Sequence, residues 1–108
     1  LFSGAVQLTP EVSTLPSPGH TPGHHSVLVR SGGESVLILG DVAHHPMQVD
    51  RTDWSSSFDM DPAEAAETRE RLMGGLEREG GLAAFGHFQG DGIGRIVRSE
   101  GRRVFQAL

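Results

Sequence analysis

Pro18-Gly19-His20-Thr21-Pro22-Gly23-His24-His25 puts three imidazoles into a loop bent tightly by two Gly and two Pro. Downstream, the apolar run Val36-Leu37-Ile38-Leu39 ends in Gly40-Asp41, and Leu82-Ala83-Ala84-Phe85 ends in Gly86-His87. A His, an Asp and a His therefore each stand where a strand gives way to a loop. Neutral imidazole plus carboxylate is the ligand set that borderline divalent metals such as zinc prefer. Glycines let backbone crowd an ion, and prolines preset the direction of the His20 ring. From so tight a turn the three loop imidazoles cannot all reach one ion, so one is a ligand, one supports or packs, and one is exposed. A carboxylate directly after four buried aliphatics is costly unless paired or ligated. Strand-end carboxylates in α/β sheets face the ligand crevice. The plain alternatives are a surface His20, a helix-capping or loop Asp41 and a core His87; the three occurring together favour a metal site.

The flanking segments read as alternating strands and turns around one helix. Ala5 to Leu8 and Val12 to Leu15 are short strands split by Thr9-Pro10. Ser26 to Arg30 and Ser35 to Leu39 form a hairpin around Ser31-Gly32-Gly33-Glu34. The continuous apolar run at Val36–Leu39 predicts a strand buried on both faces. Gly40 to Asp59 is a long loop without periodicity, and loops of that length in compact domains are usually functional or disordered; its aromatic content favours function. The helix runs from Pro62 to about Glu79, with Asp61 as N-cap, Glu64 completing a capping-box pattern and Gly80-Gly81 as the stop. Ala65, Ala66, Arg69, Leu72, Met73 and Leu76 fall on one face of it. Leu82 to Phe85 is a buried strand, and Ile93 to Arg98 pairs with Arg102 to Ala107 in a closing hairpin.

The 108 residues make one small domain or a piece of one, with 36% hydrophobic and 21% charged residues. A net charge of -5 gives no basic field, so nucleic acid is not an expected partner. Arg95, Arg98, Arg102 and Arg103 read as the solvated face of a hairpin. With no cysteine, any zinc must be held by His and carboxylate. No apolar run has the length of a membrane span, and a cytoplasmic protein is expected. The abrupt start at Leu1-Phe2 reads as a fragment or a processed piece.

His20-Thr21-Pro22-Gly23-His24, then Leu39-Gly40-Asp41, then Phe85-Gly86-His87 resembles the second half of the metallo-β-lactamase fold superfamily. The aromatic loop and Gly92-Ile93-Gly94-Arg95-Ile96 are similar to its branch of N-acyl-homoserine lactonases and methyl-parathion-type hydrolases. The resemblance covers essentially the whole chain. It implies an α/β fold, half of a four-layer αββα sandwich with a mixed β-sheet and one main helix. Residues 1–108 would be the C-terminal portion of a single domain.

It also implies two divalent metal ions, zinc first among them. His20 would ligate one, His87 the other, and Asp41 would bridge both; His24 would be a supporting residue. The implied activity is a metal-dependent hydrolase whose bridging hydroxide attacks a lactone, ester or phosphotriester of a small-molecule substrate. A non-catalytic binding or scaffold module of the same fold is the alternative, and a homo-oligomer with metal at a subunit interface stays open.

Two departures from the family pattern stand out. The family's first metal motif, His-x-His-x-Asp-His, is nowhere in this sequence, so the 108 residues alone are expected to be inactive. Relatives commonly carry a Tyr three residues after the bridging Asp, where this chain has His44. His44 or His45 is thus a candidate to polarise a carbonyl or protonate a leaving group, or the two form an exposed loop pair. Met47, Trp54, Phe58 and Phe88, with His45, line a substrate pocket or pack as core and lid.

Overall fold

The computed structural model describes residues 4–108. Seven strands form one sheet in chain order: β1 (Val6–Gln7), β2 (Val12–Pro16), β3 (His25–Ser31), β4 (Glu34–Gly40), β5 (Leu82–Phe85), β6 (Ile93–Ser99) and β7 (Arg102–Ala107). Every neighbouring pair is antiparallel except β4 and β5, which run parallel with Leu37 beside Ala83 and Gly40 beside Phe85. Parallel neighbours need a long crossover. Here it carries a short 3₁₀ turn at Pro46–Val49 and helix α1 (Pro62–Glu79).

Helix α1 begins where its capping chemistry dictates. The Asp61 carboxylate accepts the Glu64 N–H at 3.0 Å, and Pro62 takes the first turn, where its missing N–H costs nothing. Gly80, at φ 78°, ends it in the left-handed conformation. Its buried face, Leu72, Met73 and Leu76, packs with Leu15, Leu28, Leu37, Leu39, Ala83 and Ile96 from the sheet into one core. At roughly 2 kcal/mol per buried large aliphatic side chain, this layer contact holds the fold together.

Two expectations are corrected by this packing. Strand β4 is buried on one face only: Leu37 and Leu39 are 1% and 0% exposed, while Ile38 is 44% exposed. Its neighbours in register, Val27 and Ala84, share the face opposite α1. Among the described residues one helix covers one side of the sheet, so the apolar run splits between a covered and an open face. Three of the closing hairpin's arginines, Arg95, Arg98 and Arg103, are also not simply solvated, whereas Arg102 is exposed as expected. Arg103 lies 2.6 Å from Glu70 and 2.9 Å from Glu77, Arg98 lies 2.6 Å from Glu77, and Arg95 donates to the Gly80 carbonyl. They tie the β6–β7 hairpin to the outer flank of α1. No described helix is long and apolar enough to cross a membrane.

Candidate metal centre

Because β4 and β5 run parallel, their C-terminal ends reach the same edge of the sheet, and Asp41 and His87 emerge side by side. Gly40, at φ 56°, turns the chain out of β4 in a conformation that favours glycine. A Cβ there would also stand 3.0 Å from His24 Nε2. His87 Nε2 donates to Asp41 Oδ1 at 2.6 Å. That bond, ahead of the other nearby imidazoles, holds the Asp41 carboxyl below its ordinary pKa.

The loop that carries His20 is clamped onto the start of α1. Gly19 packs so closely that a Cβ would sit 2.2 Å from the Ala65 Cα. Thr68 Oγ1 donates to the Pro18 carbonyl at 2.7 Å, and the N–H groups of Met60 and Asp61 donate to the carbonyls of His20 and Gly19. His20 Nδ1 meets Asp59 Oδ1 at 3.1 Å, and its Nε2 looks toward Asp41 Oδ2 at 3.6 Å.

The other imidazoles divide sharply. His24 is used up at both nitrogens: Nε2 accepts the Asp41 N–H at 3.0 Å, and Nδ1 meets Ser17 Oγ at 2.7 Å, itself bonded to the buried Ser26 hydroxyl. Burial lowers the His24 pKa, and the imidazole braces the backbone of Asp41. His25 is exposed and bonds the Gly23 carbonyl. His44 turns inward, with Nε2 3.8 Å from Asp41 Oδ1 and its ring 5.3 Å from that of His20 and 4.7 Å from that of His87. His45 instead caps the 3₁₀ turn, its Nδ1 accepting the Met47 N–H. His44, then, faces the centre and His45 does not.

These donors suit a divalent ion. One ligand atom each from His20, Asp41 and His44 lie within 4.8 Å of one another. His44 Nδ1 is buried without a hydrogen-bond partner, and burial lowers the pKa of that imidazole, which favours its neutral form beside the ion. The His87 ring closes the far side, half exposed. The centre opens onto two cavities that meet at His44 and His45. One, of about 450 Å³, is lined also by Met47, Gln48 and Trp54; the other, of about 360 Å³, by Pro46, His87, Phe88 and Phe105. Phe58 is 76% exposed and lines neither. Phe88 is largely buried, stacked on Phe85 at 4.0 Å and edge-on to Phe105.

Three contributors were not visible as site residues in the sequence. Asp59 closes the aperiodic loop and Arg69 stands on the apolar face of α1, yet the two form an ion pair at 3.2 Å with both side chains fully buried. An Arg within a buried helical stripe was the available signal, since buried guanidinium demands a partner. Gln48 accepts the N–H groups of His44 and His45 and donates to the Trp54 carbonyl, which fixes the loop beside the centre.

The family profile of the metallo-beta-lactamase superfamily matches residues 2–87. Among solved structures, the chain is similar to the hydrolase AbOPH of the beta lactamase superfamily, with 29% identity and a TM-score of 0.85 over 93% of this chain and 35% of that one. An N-acyl homoserine lactone hydrolase, solved with N-hexanoyl-L-homoserine at its catalytic metal centre, shares 27% identity at a TM-score of 0.68 over 82% of this chain and 35% of that one. The fold also matches AidC, a dizinc quorum-quenching lactonase, at 22% identity and a TM-score of 0.88 over 99% of this chain and 37% of that one. The chain thus spans little more than a third of the length of these proteins. No curated protein matches it. The mixed seven-stranded sheet with one main helix corresponds to half of such a fold. With the profile match covering most of its length, the chain belongs to the metallo-beta-lactamase superfamily.

Proposed function

We propose that this chain is the C-terminal portion of a dinuclear metal-dependent hydrolase acting on an ester-like bond (lactone, ester or phosphotriester) in a small, partly apolar substrate. One observation carries the reading: imidazole nitrogens of His20, His44 and His87 all converge on the two oxygens of Asp41. Two divalent ions, zinc in the first instance, would acidify water and polarise the scissile group when bound. His20 and His87 would hold the ions together with Asp41, which turns one oxygen toward each of the two imidazoles.

The remaining residues orient and shape. His24 holds the Asp41 backbone through its N–H and so keeps the carboxylate aimed into the centre. His44, between His20 and His87, brings an imidazole within reach of a leaving-group oxygen. The cavity beside Met47 and Trp54 receives the apolar part of the substrate, and the one beside Phe88 the other arm. The isolated 108 residues supply too few ligands for two ions, so activity is a property of the longer protein.

The test is metal content with lactone, ester and phosphotriester hydrolysis by the full-length protein, beside His20→Ala and Asp41→Ala. A lost ligand should remove bound metal and lower kcat/KM by at least about 100-fold, the kinetic equivalent of roughly 3 kcal/mol. Unchanged metal and activity in both variants would exclude the assignment. A full-length wild type with bound metal and no hydrolysis of any of the three classes would favour a binding module of the same fold.

A further inference from the structure

Arg69 is the largest fully buried side chain among the described residues. Its guanidinium donates to the Val42 carbonyl at 3.1 Å, the Thr52 carbonyl at 3.0 Å, Ser55 Oγ at 2.9 Å and Asp59 Oδ2 at 3.2 Å. Val42 follows Asp41 directly, and Asp59 touches His20. One cation on α1 therefore anchors the segment behind the carboxylate and the residue behind the imidazole. We infer that Arg69 and Asp59 are positioning residues that fix the ring orientation and tautomer of His20, leaving the Nε2 lone pair directed at the centre.

Donors and acceptors dictate the tautomer. Guanidinium only donates, and the Asp59 carboxylate only accepts. With Oδ2 taken by Arg69, Oδ1 needs a hydrogen from His20 Nδ1, 3.1 Å away. The neutral ring then has no hydrogen on Nε2, which faces Asp41 Oδ2 at 3.6 Å. Two lone-pair atoms held that close to each other by separate anchors are suited to a cation between them. Carboxylate partners of this kind raise the basicity of metal-binding imidazoles and fix their tautomer. The inference rests on the hydrolase reading for its purpose, but the tautomer itself is a property of the metal-free protein.

Asp59→Asn separates the possibilities with almost no change of shape. Its amide oxygen must turn to Arg69, because Arg69 cannot accept, so its NH₂ faces His20 Nδ1 and forces that nitrogen to accept. The hydrogen moves to Nε2 and the lone pair is lost from the centre.

The experiment is long-range ¹H–¹⁵N correlation of the histidine rings in metal-free, full-length protein at about pH 9, where imidazole is neutral, with His20 assigned by His20→Gln. Wild type is expected as the Nδ1–H tautomer and Asp59→Asn as Nε2–H, with zinc affinity about 10- to 100-fold weaker in the variant. A wild-type Nε2–H tautomer overturns the inference, as does an Asp59→Asn protein that keeps Nδ1–H. If Asp59→Asn does not fold, the wild-type spectrum alone decides. A wild type with Nδ1–H that binds no zinc would refute the hydrolase reading and leave the relay standing.

Discussion

The loop from Pro18 to His25 contains two Pro-Gly pairs that look equivalent, and the structure gives their glycines opposite roles. Gly19 lies at φ 134°, and a Cβ on it would stand 2.2 Å from the Ala65 Cα and 2.3 Å from the Ala65 nitrogen. Those are backbone atoms of a capped helix and have no room to yield. Gly23 has nothing within 4 Å of its Cβ position. Gly19→Ala should therefore cost about 1–3 kcal/mol for the unfavourable backbone conformation and about 1–3 kcal/mol more for the overlap. Gly23→Ala should lie between no change and about 1 kcal/mol of stabilisation through the unfolded chain.

Urea unfolding of the full-length protein measures both differences under one protocol. If the loop lifts from α1 to relieve the clash, His20 moves with it, so zinc affinity should fall in Gly19→Ala and hold in Gly23→Ala. Equal stabilities and equal zinc affinities for the two variants would refute the claim that α1 positions His20.

The bonds from Arg98 and Arg103 hold Glu77 at a pKa of about 2 instead of the ordinary 4.5; a depressed carboxyl contributes stability above the unfolded value that is lost as pH falls toward the folded one. Acid unfolding of wild type should thus steepen between pH 4.5 and 2 relative to Glu77→Gln, and superimposable curves would contradict the pairing. His44→Ala should retain its metal while kcat falls by about 10²–10⁴; loss of an equivalent of zinc would instead make His44 a ligand. Leu72→Ala empties a fully buried position between α1 and the sheet and should cost about 2–5 kcal/mol, read from the same urea midpoints.

Much of this molecule was legible locally. Each strand and the helix carry their own signals: Gly32-Gly33 between β-rich runs, Asp61-Pro62 at the helix start, Gly80 at its end. The strand-end pattern Gly40-Asp41 and Gly86-His87 singled out both side chains, and the parallel β4–β5 pairing puts them side by side. What stayed hidden depends on contacts distant in sequence. Asp59 acquires its meaning from Arg69 and His20, 39 residues before it. His44 and His45 differ through contacts that the sequence does not display: His45 Nδ1 accepts the Met47 N–H, while His44 Nε2 lies 3.8 Å from Asp41 Oδ1. An apolar run does not reveal how many layers cover a sheet, so the sequence alone places Ile38 inside although it is exposed.

The proposed function depends on metal held by His20, Asp41 and His87. It is tested most directly by a crystal structure of the full-length protein grown with zinc, using anomalous scattering to locate the ions. Two peaks are expected beside Asp41, at about 2.0–2.2 Å from its oxygens, one bonded to His20 Nε2 and the other to His87 Nε2. Zinc bound elsewhere, or a wild-type centre in which His87 stays hydrogen-bonded to Asp41 at saturating zinc, would contradict it.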